Sequence, residues 1–536
     1  MIFHEDGALK KFFSRVSLND KEHYFYAYTL LFLVLSSFSF FWIWSDGKCL
    51  LMLGDGMHQH YPFLIYWGQM LRRIFMNFIS GNFGIPLYDF NIGYGADIIT
   101  SLHYNVIGDP LNLLSFFVPM KFSEELYDFL TVFRIYLAGL AFSFFYCSVA
   151  KKDNWGFSAL IGSVVYVFSA YPLISVFAPF FINQMIYLPL LLMGAERILD
   201  GKTPYFFIIM TSIALISNFY FFYPTTFLTA FFILVRMFFK KILFKDLKLI
   251  IRLFFYYFTG VLTACFIFIP NLIALLQSQR FGVSHPFDLF YAFDMYKQAL
   301  LAFISIHYPF TIPTVPLHFE ATGFPLISLF AIIAVFVKRK KFYELKTSFI
   351  ILTLIALLPF GGYLLNGFSY VSNRWMYGYT FLTALITAVA ISDFKFISKK
   401  YVKLIIFLFT VINAAFNAYQ LYEKKDYKRE FMEKGTPYLT ETDNYLKIIK
   451  SLDDKSFFRV EGIQYYNFIE IRNLSLLMGV KTDGFFYSLI NPRVSRFNNE
   501  IELYNHQEHE VKNLDSRTIA GTLANVKYFI LPSNGE

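Results

Sequence analysis

Charge is scarce in this chain: only 16% of its residues are Asp, Glu, Lys or Arg, while 56% are hydrophobic. An ordinary soluble domain is about a quarter charged. The deficit, a mean hydropathy of +0.48 and repeated apolar runs of about 18 residues or more exclude a soluble domain and indicate a polytopic membrane protein. Cysteine is nearly absent, three in 536 residues. Cys147 and Cys265 lie inside apolar runs and Cys49 stands alone in a polar stretch, so neither a disulfide framework nor a cysteine-based metal site follows. Residues 1–23 lack the apolar core and cleavage site of a conventional signal peptide, and the first helix is expected to remain in the mature protein. The formal charge of +9 makes no case for a nucleic-acid partner, because the cations gather at helix ends, where membrane topology accounts for them.

Aromatics are abundant instead. Seventy Phe and 38 Tyr suit dense packing and interfacial belts and require no cofactor. Apolar stretches at 24–44, 127–150, 157–177, 181–199, 204–218, 220–239, 249–275, 322–337, 347–365, 375–393 and 402–420 predict a polytopic α-helical fold of about eleven transmembrane helices. With the N-terminus in the cytoplasm, alternate connections carry Lys10, Lys11, Arg15 and Lys21, then Lys151 and Lys152, then Arg197 and Lys202. The series continues with Lys240, Lys241, Lys245 and Lys248, then 338–341, then Lys395, Lys399 and Lys400. The other connections are poor in Lys and Arg, which fixes the N-terminus inside and puts the C-terminus outside. The chain divides into a membrane part, 1–421, and a charged, mixed segment, 422–536. There 457–462 and 526–531 read as strands and 445–452 as a short amphipathic helix, together a small extracytoplasmic α+β domain.

About eighty residues, 45–125, separate the first two apolar runs. Irregular backbone cannot lie unsatisfied in hydrocarbon, so this loop sits at or outside the outer surface, and loops of such length usually carry function. Within it, 62–79 has near-helical apolar spacing and predicts a helix along the interface, with Arg72 and Arg73 toward lipid phosphates or solvent. Asp55 lies between Gly54 and Gly56. This is a common turn, but also a means of exposing a carboxylate to an acceptor hydroxyl as a general base. His58 and His60 leave a divalent metal open, since imidazole and carboxylate are ligands for several such ions; the pair alone is a weak signal. The stretch from Asn91 adds Asp97, His103, Tyr104 and Asp109, and Asp109-Pro110 also fits a helix cap. Arg374, at the outer start of a late span, breaks the cytoplasmic bias of the cations. It fits either a lipid-linked phosphate or snorkelling to headgroups. Asn218 and Tyr220 mark a polar break between two spans.

Several motifs resemble, in order, those of the bacterial YfhO-like membrane proteins. They are Gly54-Asp55-Gly56 leading into Gln59-His60-Tyr61-Pro62-Phe63, Asn91-Ile92-Gly93-Tyr94-Gly95-Ala96-Asp97, Gly108-Asp109-Pro110-Leu111-Asn112-Leu113, Ser217-Asn218-Phe219-Tyr220 and Asn373-Arg374-Trp375. The resemblance implies a GT-C-like fold and a GT-C-type glycosyltransferase of the bacterial cell membrane. Such an enzyme takes a sugar from a polyprenyl-phosphate donor, such as one on undecaprenyl phosphate, and passes it to a cell-envelope polymer such as lipoteichoic acid. By position Asp55 matches the expected loop carboxylate, with Asp97, His103, Tyr104, Asp109 and Arg374 as candidate substrate-binding residues. An envelope lipid transporter or flippase, or a non-catalytic assembly protein, are the competing readings. The absence of an internal repeat and the polar residues gathered in an outer loop argue against the transporter.

Overall fold

The computed structural model describes residues 18–150, 155–278 except 244, 288–302 and 323–435 except 395–396, 398 and 425. Beyond 435 it describes 451, 456–462, 473, 476, 479–503, 506–507, 510–511, 514 and 517–530. Helix α1 (Lys21–Trp44) starts at Asp20, whose carboxylate accepts from the N–H of Glu22 at 2.8 Å and of His23 at 3.4 Å, satisfying two of the four donors a helix start leaves open. Tyr24, Tyr28, Phe32 and Leu35 bury one face against the protein, while Phe25, Leu30, Leu33, Phe38 and Phe41 on the other stay exposed. Apolar side chains on both faces suit a helix between protein and lipid.

Every one of the eleven apolar stretches contains helix. By length and composition five helices can cross a membrane: Lys21–Trp44, Met120–Val149, Phe219–Phe239, Arg374–Asp393 and Lys400–Lys424. The number rises to seven if the bent pairs Trp155–Val167 with Ala170–Phe177 (41°) and Leu247–Thr263 with Cys265–Gln277 (82°) each count as one span. The helices Asn183–Leu199, Tyr205–Ser217, Ile327–Val337 and Tyr343–Leu357 have 17, 13, 11 and 15 residues, short of the roughly 20 that a straight crossing takes. Asn218 ends one of these, Tyr205–Ser217, and caps the next helix, its Oδ1 accepting from Phe221 N at 3.0 Å.

The start of the long loop and the end of the last long helix are tied together. Strand β1 (Lys48–Met52) pairs antiparallel with β4 (Phe431–Glu433), and Lys21–Trp44 packs against Lys400–Tyr419. The C-terminal ends of these two helices therefore lie at one end of the bundle, which also holds the long loop. There a helix, Tyr61–Ile79, is followed by the two-strand ladder of β2 (Tyr88–Asp89) and β3 (Ala96–Asp97) and a short helix, Ile98–Leu102. A helix is present over the expected 62–79, but Arg72 turns elsewhere than expected. Its Nη1 donates to the carbonyls of Ser115, Phe116 and Val118 at 2.8, 3.0 and 3.1 Å, because the carbonyls ending the 3-10 helix Pro110–Phe116 lack intrahelical partners. Arg73 reaches Asp89 at 3.3 Å.

Beyond 435 both expected strands form and pair in parallel, Arg459–Gly462 with Val526–Ile530; the helix expected at 445–452 falls outside the described residues apart from Ser451. This region packs onto the long loop. Leu51, Met57, Phe63, Ile92 and Leu102 share one core with Phe485, Tyr487, Ile490, Val511 and Leu514, and the rings of Phe63 and Tyr487 stack at 5.6 Å.

Candidate functional site

Gly54 takes the left-handed conformation (φ +74°), which costs a glycine little, and turns the chain from β1 into a single π-helical turn, Gly56–His60. Asp55 at the head of that turn is exposed. Its Oδ1 accepts from Gln59 Nε2 at 3.3 Å. Gln59 Oε1 in turn accepts from Asn105 Nδ2 at 3.3 Å and from Ser488 Oγ at 3.4 Å. Two donors on the carbonyl end fix the Gln59 amide, so that its NH2 is the end facing Asp55.

His60 follows at once, buried, with its ring edge-on to Phe180 at 5.1 Å. Burial pushes its pKa down to about 4 against the opposing pull of Asp55 and of the Phe177 backbone, so the imidazole is neutral at pH 7. His58 lies apart from it, edge-on to Phe486 at 6.4 Å, its carbonyl accepting from Asn473 Nδ2 at 2.8 Å. The two histidines thus engage different neighbours, and no group of three potential metal-binding side chains occurs among the described residues.

Three of the other candidates brace the loop. Asp97 caps the helix Ile98–Leu102, accepting from Thr100 N at 2.7 Å. His103 is buried, its Nε2 bonded to the Ile216 carbonyl at 2.7 Å and its ring stacked on Phe219, and burial lowers its pKa to about 4. Asp109 follows Gly108, whose φ of +88° places it where a Cβ would strike the Ile216 carbonyl. Asp109 Oδ1 caps Leu111 N at 2.9 Å, while Oδ2 accepts from Arg134 at 2.6 Å and from Asn183 at 2.8 Å. Both partners of the ion pair are interior, 4% and 2% exposed. Arg134 also donates to Asn112, Asn183 and the Leu130 carbonyl. This network is complete in itself and leaves Asp109 no oxygen unengaged by protein. The sequence reading missed Arg134, although a cation inside an apolar run is a signal in its own right.

Arg374 is arranged differently. Its Nη1 donates to the hydroxyls of Tyr220 at 3.2 Å and Tyr104 at 3.4 Å. Its guanidinium lies over the rings of Phe181 and Tyr220, both at 5.5 Å, and of Tyr370 at 5.8 Å, where the ring faces attract a cation. Tyr171 anchors its carbonyl at 2.9 Å, and Tyr220 passes its own proton to Asn366. Among the described residues no carboxylate pairs with it. Two sequence candidates, Tyr104 and Arg374, are thereby brought together, with Tyr220, Asn366 and Phe181 added. The Phe180 ring joins this cage to the Asp55 turn, meeting His60 on one side and Tyr104 at 5.2 Å on the other. Phe180 comes from the buried break between two helices, which apolar patterning alone does not mark.

Helices of membrane length, apolar faces turned outward and a polar cluster at one end of the bundle define a multi-pass membrane protein with its candidate site on a long loop. The family model for "Bacterial membrane protein YfhO" matches residues 28–429 and 324–536, and the chain belongs to that family. A Bacillus subtilis (strain 168) protein described as "Uncharacterized protein YfhO" is 28% identical over 225 residues, 39% of this chain. The match spans about a quarter of that relative's length. No solved structure matches the chain.

Proposed function

We propose that this protein is a GT-C-type glycosyltransferase that moves a sugar from a polyprenyl-phosphate donor to an extracytoplasmic cell-envelope acceptor, such as a teichoic or lipoteichoic acid. The observation that carries this reading is Arg374, a cation held by tyrosine hydroxyls and rings with no carboxylate partner among the described residues, at the same end of the bundle as the exposed Asp55 carboxylate. A phosphate would complete such a cage, and a fixed positive charge stabilises a phosphate as it leaves. In this mechanism the acceptor hydroxyl oxygen attacks the anomeric carbon while Asp55 takes its proton. The bond from that carbon to the phosphate oxygen breaks, the lipid phosphate departs with the electron pair against Arg374, and the single displacement inverts the anomeric centre.

The same reading has eleven crossings, the N-terminus in the cytoplasm and the region beyond 422 outside as a small α+β domain. The pairing of β1 with β4 supports it: with the first and last helices ending on one side, the number of crossings from first to last is odd. The two bent helix pairs favour a second reading, since transporters build substrate sites on broken helices. The full chain in proteoliposomes, supplied with polyprenyl-phosphate sugar and acceptor polymer, separates the two. Sugar transfer that is lost in a stably folded Asp55→Asn variant is expected. Flux of unmodified lipid without transfer would replace the enzyme by a transporter, and undiminished transfer by Asp55→Asn would remove the base assignment.

A further inference from the structure

A cavity of about 20 Å³ lies beneath the Asp55 turn, walled by His60, Asn105, Asn112, Tyr127, Arg134 and Phe180 among others. One water needs about 10–15 Å³ of such space and two to four polar partners. Three of the wall residues each carry one polar atom that is buried and has no protein hydrogen-bond partner: His60 Nδ1, Asn105 Oδ1 and Tyr127 Oη. Their residues are 8%, 7% and 4% exposed. Single buried polar atoms without partners are uncommon, and three around one water-sized space share an explanation.

We infer that one internal water binds Tyr127, Asn105 and His60, and that through Asn105 and Gln59 it fixes the direction in which Asp55 presents its carboxylate. The protons can be assigned throughout. Asn105 gives its NH2 to Gln59 Oε1, so its carbonyl oxygen is the end left to accept in the cavity. Gln59, with its oxygen taken by Asn105 and Ser488, turns its NH2 to Asp55. Tyr127 donates its hydroxyl proton to the water, and the water donates one proton to Asn105 Oδ1 and the other to His60 Nδ1. His60 then carries its own proton on Nε2. A metal ion suits the space poorly, because the Arg134 guanidinium forms part of the wall and the nearby Asp109 is already spent on it. Asn105, Tyr127 and His60 are positioning residues here; none of them touches the reacting atoms.

The water itself is independent of the proposed activity, and the positioning role rests on the reading of Asp55 as base. A map of the full chain in lipid nanodiscs, at a resolution that shows ordered water, is expected to hold one peak within hydrogen-bond distance of the three atoms. Nitrogen-15 shifts of labelled histidine are expected to report the Nε2–H form of His60, changing in Tyr127→Phe. A map that shows other internal waters and none here overturns the inference. In the transfer assay Tyr127→Phe and Asn105→Leu are expected to lower kcat by about 10- to 100-fold with KM little changed, the size of loss a misplaced group brings. If the peak is present but both variants keep full kcat, the positioning role is wrong. If Asp55→Asn keeps transfer, the reading of the site fails instead, and the map and histidine shifts still decide the water.

Discussion

The bundle holds its arginines in two ways. At the end away from the long loop Arg236 is bracketed by Glu196 at 2.6 Å and Glu344 at 2.7 Å, with Lys240 joining Glu196 at 3.0 Å; the cluster pins three helix ends together. At the end that carries the long loop Arg134 is likewise closed off by Asp109, Asn112 and Asn183. Arg374, at that same end, has among the described residues tyrosine hydroxyls and ring faces and no carboxylate. Arg374 is half-buried, and a charge withdrawn from water without a counter-ion is unfavourable for folding, so a cation kept that way points to a role other than stability. Arginines closed by carboxylates hold the helices; Arg374, caged by tyrosines, is where chemistry is to be sought.

Replacing the arginines one at a time by methionine, which keeps most of their volume, puts this contrast at risk. Arg134→Met strands Asp109 in the interior, and breaking a buried pair by removing one partner costs about 3–5 kcal/mol. The expected outcome is a loss of that size in unfolding experiments in detergent. Arg374→Met in the same experiment is expected to be neutral or slightly stabilising, because it removes a charge that no described carboxylate balances. Equal destabilisation by both would erase the distinction.

Sugar transfer reverses the ranking. Arg374→Met is expected to lower it by about 100- to 1,000-fold, the usual effect of removing a preorganised charge-stabilising group. Arg374→Lys should recover only part, since an ammonium restores charge without the planar fork.

The site that these variants address was only half legible in the sequence. The Asp55 turn could be read because two glycines flank one acidic residue, and the start of the helix at 62–79 because its apolar spacing is regular. The partnership of Arg374 with Tyr104 joins residues 270 positions apart, and no local pattern encodes it. The packing of residues 485–490 on the loop was illegible for a related reason: the strand there is two residues long, too short for any alternation to show. Asp109 was readable as a cap, but its second role needs Arg134, which lies inside an apolar run and not at a helix end.

Acid sets the long loop against the region beyond 435. His60 and His103 are held near 4 by burial, below their ordinary value of about 6.5. Between those values the unfolded chain binds protons that the folded loop does not, so stability is full above about 6.5 and falls as the pH drops toward 4, by about 2–3 kcal/mol for each histidine. Asp483 has the opposite sign. Burial and the neighbouring Glu461 carboxyl hold it above the usual carboxylate range, so its contribution is present in acid and is lost as the pH rises through its folded value. Unfolding followed from pH 7 to pH 4.5 is expected to show the loop region weakening, and a His60→Gln/His103→Gln variant should flatten that slope. A slope unchanged in the double variant would locate the acid sensitivity elsewhere.

The smallest effect belongs to the end away from the long loop. Arg236 is 29% exposed and Glu196 14%, so solvent screens their attraction, and each remaining member of the cluster keeps some contact with water when one is removed. Arg236→Met is therefore expected to cost only about 1 kcal/mol, toward the range of solvent-exposed pairs, and to leave sugar transfer unchanged. Lys240 can still neutralise Glu196, whereas nothing described replaces Arg134 beside Asp109. Salt separates the two cases further: at 1 M ionic strength the screening length falls to about 3 Å, so the Arg236→Met penalty should shrink while that of Arg134→Met, sealed from ions, should not. A salt-insensitive loss at Arg236 as large as that at Arg134 would mean that the Arg236 cluster is as dry as the Arg134 one, and that closure by carboxylates does not separate a bundle's ties from its site.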